Sequence, residues 1–270
     1  MLALIRGAGD LATGIALRLW HSGISIVMTD LPHPTAIRRT VAFSEAIFTG
    51  TWQVEDATAK HAHCAPEALE LLKAGQIPVL ADPALTCLPA LKPEVLVDAI
   101  LAKKNLGTTM DMAPIVIGVG PGFTAGTDCH AVVETMRGHD LGRVILRGSA
   151  MPNTNIPGLI GGFAGERVIR APKDGCFRPL RQIGDHVEAG ETVAHVEDVP
   201  VNCTISGVLR GILPENTPVT AGMKAGDVDP RDDAAYCRTV SDKAAAVGGG
   251  VLEAILRLGT QKGLLAIQTK

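Results

Sequence analysis

Within its first thirty residues the chain passes from an apolar run to a glycine turn, a helical pattern, a second apolar run and an acid. Leu2 to Ile5 is the first run, closed by Arg6. Gly7-Ala8-Gly9-Asp10-Leu11-Ala12-Thr13-Gly14 follows, and Ile15, Leu17, Leu19 and Trp20 carry a helical pattern that stops at Gly23. Ile24 to Met28 is the second run, and Asp30 comes 23 residues after Gly7. Strand, turn, helix and strand in that order make one βαβ unit, which commits the chain to a parallel sheet. The turn reads Gly7-x-Gly9-x-x-Ala12, the pattern of a dinucleotide-binding loop. Gly7 would permit the tight turn, and Gly9 would let a pyrophosphate approach the helix N-terminus. Asp30 would accept from a ribose hydroxyl. Asp10 fits less well, because an acid repels a pyrophosphate; it can cap the helix instead. The alternative is a glycine turn with a structural role only.

Apolar segments continue the alternation. Residues 65–74 read as a helix stopped by Gly75, and 77–81, 94–101 and 115–119 read as strands. Val132 to Met136 and Arg143 to Leu146 read as a hairpin across Gly138. These segments imply a mostly parallel sheet with an antiparallel edge.

Composition excludes several classes of function. There are 25 basic and 28 acidic residues and no basic run, so nucleic acid is not an expected partner. Eight aromatic residues in 270 offer no base-stacking platform. No apolar run approaches the roughly 18 residues of a membrane span, and the N-terminus lacks a signal-peptide pattern. Six scattered cysteines, without a Cys-x-x-Cys pair, fit reduced thiols in a cytoplasmic protein.

Beyond Gly162 the character changes to short β segments. Gly175-Cys176-Phe177-Arg178 and Val187-Glu188-Ala189-Gly190 recur 32 residues later as Gly207-Val208-Leu209-Arg210 and Val219-Thr220-Ala221-Gly222. Two copies of one motif predict a small quasi-symmetric β-barrel of interlocked hairpins. It resembles the biotinyl/lipoyl barrel, but the hairpin from Glu197 to Asn202 has no lysine for covalent attachment. The expected architecture is therefore α/β. It comprises a Rossmann-like, mostly parallel sheet over 1–165, a biotinyl/lipoyl-like β-barrel over 166–232, and a C-terminal helical segment over 233–270 that packs back on the first domain. That last segment contains Gly248-Gly249-Gly250, which costs about 3 kcal/mol of helix propensity. Either a neighbouring backbone approaches closely there, or the segment is a turn between two helices.

Three further groups are candidates for chemistry. Arg38 and Arg39 can hold a phosphate bidentately, or form a solvated surface pair. Gly120-Pro121-Gly122 is a second glycine loop after a strand, followed by Asp128, His130, Glu134 and Arg137. Two such loops can face one crevice. His130 and Glu134 would share a strand face and do acid–base work, with Arg137 neutralising an anion. The alternative is a polar hairpin with a salt-bridged arginine. His61-x-His63-Cys64 has metal-ligand residue types but no matching second pair, so exposed helix-start residues are the better reading, and no metal site is expected.

The chain resembles the YqeB family of selenium-dependent molybdenum hydroxylase accessory proteins. The resemblance is carried by Arg6 to Gly14, Ile37 to Glu45, Gly118 to Arg143, Lys224 to Arg231 and Gly248 to Glu253. More loosely, it is similar to XdhC-type factors that help insert the molybdenum cofactor. The resemblance implies an accessory role in maturing a molybdenum hydroxylase, which would be its partner. The ligand at Gly7, Gly9, Asp10, Ala12, Asp30, Arg38, Arg39, Gly120 and Gly122 would then be a molybdopterin dinucleotide or an NAD(P)-like nucleotide. An NAD(P)-dependent oxidoreductase using His130 and a protein-interaction adaptor are the alternatives. A homo-oligomer is compatible with all three.

Overall fold

A computed structural model describes residues 1–154 and 156–265. In chain order its strands are β1 (Leu2–Arg6), β2 (Ser25–Thr29), β3 (Thr51–Val54), β4 (Ala57–Ala62), β5 (Ile77–Leu80), β6 (Val95–Asp98), β7 (Ile115–Val119), β8 (Thr124–Ala125), β9 (Ala131–Val133), β10 (Val144–Ile145) and β11 (Gly148–Ser149). The helices among and after them are α1 (Asp10–His21), α2 (Glu45–Thr49), α3 (Ala65–Lys73), α4 (Leu88–Leu91) and, near the end of the chain, α5 (Asp242–Gln261).

Nine strands form one sheet in the order β10-β9-β7-β6-β1-β2-β5-β4-β3. Strands β1, β2, β4, β5, β6, β7 and β9 run parallel, whereas β3 and β10 pair antiparallel with their neighbours at opposite edges. The interior strands are apolar on both faces because helices cover both. Ala3, Ile5, Ile26 and Met28 pack with Ile15, Leu19, Val251 and Ile255 of α1 and α5. Leu4, Val27, Leu96 and Val116 face the other way, toward Ala65 and Ala68 of α3 and Leu91 of α4.

The segment after the sheet contributes β12 (Val168–Arg170), β13 (Gly175–Pro179), β14 (His186–Val187), β15 (Thr192–Val196), β16 (Val199–Asn202), β17 (Gly207–Ile212), β18 (Thr217–Val219) and β19 (Lys224–Asp229). They form two antiparallel sheets, β12-β19-β17-β14 and β16-β15-β13-β18. Strands β13 and β17 begin the two copies of the repeat. Each pairs with the edge strand of the other copy, β18 on β13 and β14 on β17. Phe177, Val187, Leu209 and Val219 meet in one core between the sheets.

These arrangements correct the expected fold class. The Rossmann-like, mostly parallel sheet is instead a nine-stranded mixed sheet with an antiparallel pair at each edge. The β3–β4 hairpin, absent from the sequence reading, builds one of those edges. The biotinyl/lipoyl-like barrel is instead two separate four-stranded sheets, because hydrogen bonding runs within each sheet rather than around a closed ring.

The glycine triplet lies within one continuous helix, α5, and close packing explains Gly248 and Gly250. A Cβ at Gly248 would lie 2.8 Å from the Gly14 carbonyl oxygen of α1, and one at Gly250 would collide with the Gly142 carbonyl. Among the described residues no helix is long and apolar enough to cross a membrane.

Candidate functional site

In a sheet of this kind ligands sit beyond the carboxyl ends of the parallel strands, at the point where strand order reverses. Here that point lies between β1 and β6. It is filled by the protein's own groups. Arg6 donates through Nη1 to Asp98 Oδ2 (3.2 Å) and to Thr108 Oγ1 (3.0 Å), and the Thr108 hydroxyl donates to Asp98 Oδ2 at 2.6 Å. Asp98 and Thr108 are buried. No motif announced this network, because its three residues lie 92 and 10 positions apart.

The first glycine turn is closed in the same way. Gly7 has φ +105°, and a Cβ there would stand 2.8 Å from the Ala99 carbonyl oxygen. The Ala8 N–H, which a phosphate would need, donates to Asp30 Oδ2 at 2.7 Å. Asp30 also accepts from the Leu31 N–H. Burial pushes the Asp30 carboxyl above its usual range, against those two N–H donors. Ser44 N–H donates to the Ala8 carbonyl, and Phe43 N–H donates to the Thr13 hydroxyl, so the 43–44 segment seals the turn. Gly9 is the N-cap of α1 and has nothing nearer to an added Cβ than the Ala36 methyl at 4.0 Å. Ala12 is buried in the core.

Arg38 and Arg39 do not form a shared anion clamp. Arg38 pairs with Asp10 at 3.3 Å and donates to the Tyr236 carbonyl. Arg39 points elsewhere, donating through Nε to the Ile212 carbonyl at 3.0 Å and pairing with Glu45 at 3.4 Å. Both arginines join segments distant in sequence.

The second loop does not assemble an acid–base group. Gly120 (φ +81°) packs on Thr135, and Gly122 (φ +109°) packs on the Lys104 backbone. Asp128 accepts from the Thr124 N–H within its own turn. Glu134, fully buried, accepts from the N–H groups of Thr135, Met136 and Met151. Arg137 makes a bidentate pair with Asp242 at 2.6 and 2.9 Å. His130 precedes β9, with Nδ1 accepting from the Val116 N–H at 3.0 Å. Burial, helped by Lys262, lowers its pKa. Through the register His130 is level with Val116, Leu96 and Leu4. It is thus three strands and three residues from Gly7, a separation of roughly 17 Å. Glu134 lies at the opposite end of β9 from it. The two loops therefore do not bring His130, Glu134 and the glycine turn into one site.

An open crevice remains farther along the same edge, at the ends of β4 and β5. Its volume is about 410 Å³, and His61, His63, Cys64, Asp82 and Thr86 line it together with Cys87. The β3–β4 hairpin turns on Glu55 and Asp56, with Glu55 at φ +54°. This makes His61 a strand residue rather than the exposed helix-start residue read from sequence. The His61 and His63 rings lie 4.5 Å apart. Burial lowers the His61 pKa, and the neighbouring His63 lowers it further against Glu67. Cys64 is the N-cap of α3, with no side-chain cap bond. Burial works to raise the Asp82 carboxyl, but the N–H groups of Cys87 and Thr86 outweigh it and hold Asp82 below its usual range. Burial and Asp82 push the Cys87 thiol up to about 12, which removes it as a nucleophile near neutral pH. Among the described residues no three His, Cys, Asp or Glu side chains are placed to hold a metal ion.

The chain is 51% identical over 257 residues to the Escherichia coli (strain K12) protein titled "Uncharacterized protein YqeB". The chain is similar to YqeB. The match covers 95% of this chain and 48% of that protein, so the chain spans about half the length of the curated YqeB. No family model matches. Among solved structures, an aspartoacylase family protein from Mesorhizobium loti and a succinylglutamate desuccinylase from Silicibacter sp. TM1040 each align at 13% identity. Each alignment covers 84% of both chains, with a TM-score of 0.26. The expectation of molybdenum hydroxylase maturation, with its selenium and molybdopterin attributes, is corrected on these findings. The name of the E. coli protein states no activity, and the solved neighbours are named as acylase and desuccinylase proteins. At that TM-score the likeness transfers neither their fold nor their reaction to this chain.

Proposed function

We propose that the protein binds a small oxyanion-bearing metabolite in the crevice at the carboxyl ends of β4 and β5. The observation that carries this reading is His61, an imidazole of lowered pKa, on the wall of a cavity of about 410 Å³. A neutral ring near pH 7 can accept a proton or a hydrogen bond from a ligand. The first turn of α3 opens at Cys64 and Ala65 on the same wall; Pro66 has no N–H and the Ala68 N–H donates to the Cys64 carbonyl, which leaves the N–H groups of Ala65 and Glu67 without intrahelical partners. The cavity is of the size that holds a metabolite. An oxyanion at the α3 N-terminus with a hydroxyl or amine toward His61 satisfies both.

The test is titration of the protein with malonate and with inorganic phosphate, followed by imidazole NMR signals. The expected result is a saturable shift at His61 and at the neighbouring His63, with the His63 response weakened in His61→Gln while the far-UV circular dichroism is unchanged. No saturable shift with either probe, or equal affinity in His61→Gln, would overturn the proposal.

A further inference from the structure

A second cavity lies away from the strand ends, where the large sheet meets the 168–229 segment. Its volume is about 380 Å³. Trp52 of β3 lines it, together with Pro179 at the end of β13 and the stretch that follows to Ile183. Three observations give it a chemical character. First, the Trp52 indole N–H is buried and has no hydrogen-bond partner among the described residues. An indole N–H can only donate, and leaving it unpaired is costly. Second, two guanidinium groups line the cavity, those of Arg39 and Arg181. Arg39 uses Nε on the Ile212 carbonyl and Nη1 on Glu45, and Arg181 uses Nε on Glu191. Each retains N–H groups beyond these bonds, since a guanidinium has five. Third, an apolar part of the lining, Trp52 with Pro179, Leu180 and Ile183, stands beside the polar Thr40 and Gln182. Glu45 is the one acid on the lining, and its charge is engaged by Arg39.

Donors outnumber acceptors, and they stand beside an aromatic and aliphatic wall. We infer that this cavity is a binding site for a small carboxylate with an apolar body, held through Trp52, Arg39 and Arg181. The carboxylate takes the N–H groups of the guanidinium and the indole, and the body lies against the Trp52 ring. A cation of the same shape meets two guanidinium charges against the one carboxylate of Glu45, which Arg39 already pairs. This site is separate from the His61 crevice, and neither proposal depends on the other.

Trp52 reports on the site directly. The chain has two tryptophans, so Trp20→Phe leaves Trp52 as the single indole emitter. That variant is titrated with benzoate and, as the charge-reversed control, with benzylamine. Benzoate is expected to change Trp52 emission saturably, and benzylamine is not. Arg181 is exposed, so Arg181→Gln in the same background leaves the fold intact while weakening benzoate by about tenfold, the effect of one charge-assisted hydrogen bond. Arg181→Lys should recover part of that loss. His61→Gln should leave benzoate affinity unchanged, which separates this test from the one for the other crevice. The inference is overturned by the absence of a saturable benzoate response, by equal responses to benzoate and benzylamine, or by unchanged benzoate affinity in Arg181→Gln.

Discussion

Gly14 of α1 and Ala244 of α5 meet so closely that a Cβ built on Gly14 would stand 2.5 Å from the Ala244 methyl. The two helices thus cross on glycine rather than on interlocking side chains. This contact, with those of Gly248 and Gly250, sets α5 against α1 and against the β9–β10 edge of the sheet. Loss of helix propensity at these glycines is offset by burial of Val247, Val251 and Ile255.

Alanine substitutions along this contact should therefore have opposite signs. Gly14→Ala should destabilise the protein by about 2 kcal/mol, since overpacking outweighs the propensity gain. Gly249→Ala should stabilise it by about 0.5–1 kcal/mol, because nothing lies within 4 Å of the added methyl. Urea unfolding of the two variants checks both. Destabilisation by Gly249→Ala would show that α5 is packed differently.

His130 is expected to matter for stability. His130→Ala leaves the Val116 N–H without its acceptor and should cost about 1–3 kcal/mol at pH 8. The folded ring has a lowered pKa, so the unfolded chain takes up the proton first. The contribution is therefore full above the ordinary value of 6.5 and is lost as pH falls below it. Denaturation at pH 8 and pH 5 should show a smaller difference between wild type and His130→Ala at the lower pH.

Asp242 gives the opposite kind of acid, one stabilised in its charged form. Its bidentate bond from Arg137 leads the causes that bring its pKa from 3.8 to about 2. Stability from this pair is present above pH 4 and fades as pH falls toward 2. Asp242 is well exposed, so the contribution should stay below about 1 kcal/mol. In Arg137→Met the Asp242 carboxyl should titrate higher by NMR, moving from about 2 toward 3.8. Titration still near 2 would show that Arg137 is not its partner in solution.

Asp30 should behave as a clasp for the glycine turn. Asp30→Ala strands the N–H groups of Ala8 and Leu31 and should cost about 1–3 kcal/mol. Asp30→Asn keeps one acceptor oxygen and relieves a buried charge, so it should cost less. A larger loss in Asn than in Ala, by thermal unfolding, would show that the charge itself is needed.

Local pattern and tertiary placement divide this protein cleanly. The βαβ start, the strands at 77–80, 95–98 and 115–119, the 131–145 hairpin and the 32-residue repeat were all legible in sequence. Apolar period, glycine stops and repetition report the local conformation of contiguous residues. The β3–β4 hairpin was not, because Glu55-Asp56 is not a strong turn signal and its strands are short. That miss left His61 on the wrong element and concealed the crevice.

The sequence by itself determined that a parallel sheet begins at Leu2, that the chain repeats a β motif, and that Gly248 to Gly250 mark either a close backbone approach or a break in the last helix. Tertiary structure alone decided what the polar residues do. The Gly7 turn carries the pattern of an anion site, yet Asp30 takes its Ala8 N–H. Arg38 and Arg39 are adjacent in sequence and diverge in space, and His130 and Glu134 lie at opposite ends of one strand. A spacing rule records which residue types can meet. Each side chain's hydrogen-bond capacity is committed by whichever donor or acceptor the folded chain brings nearest, and that neighbour is often a hundred residues away.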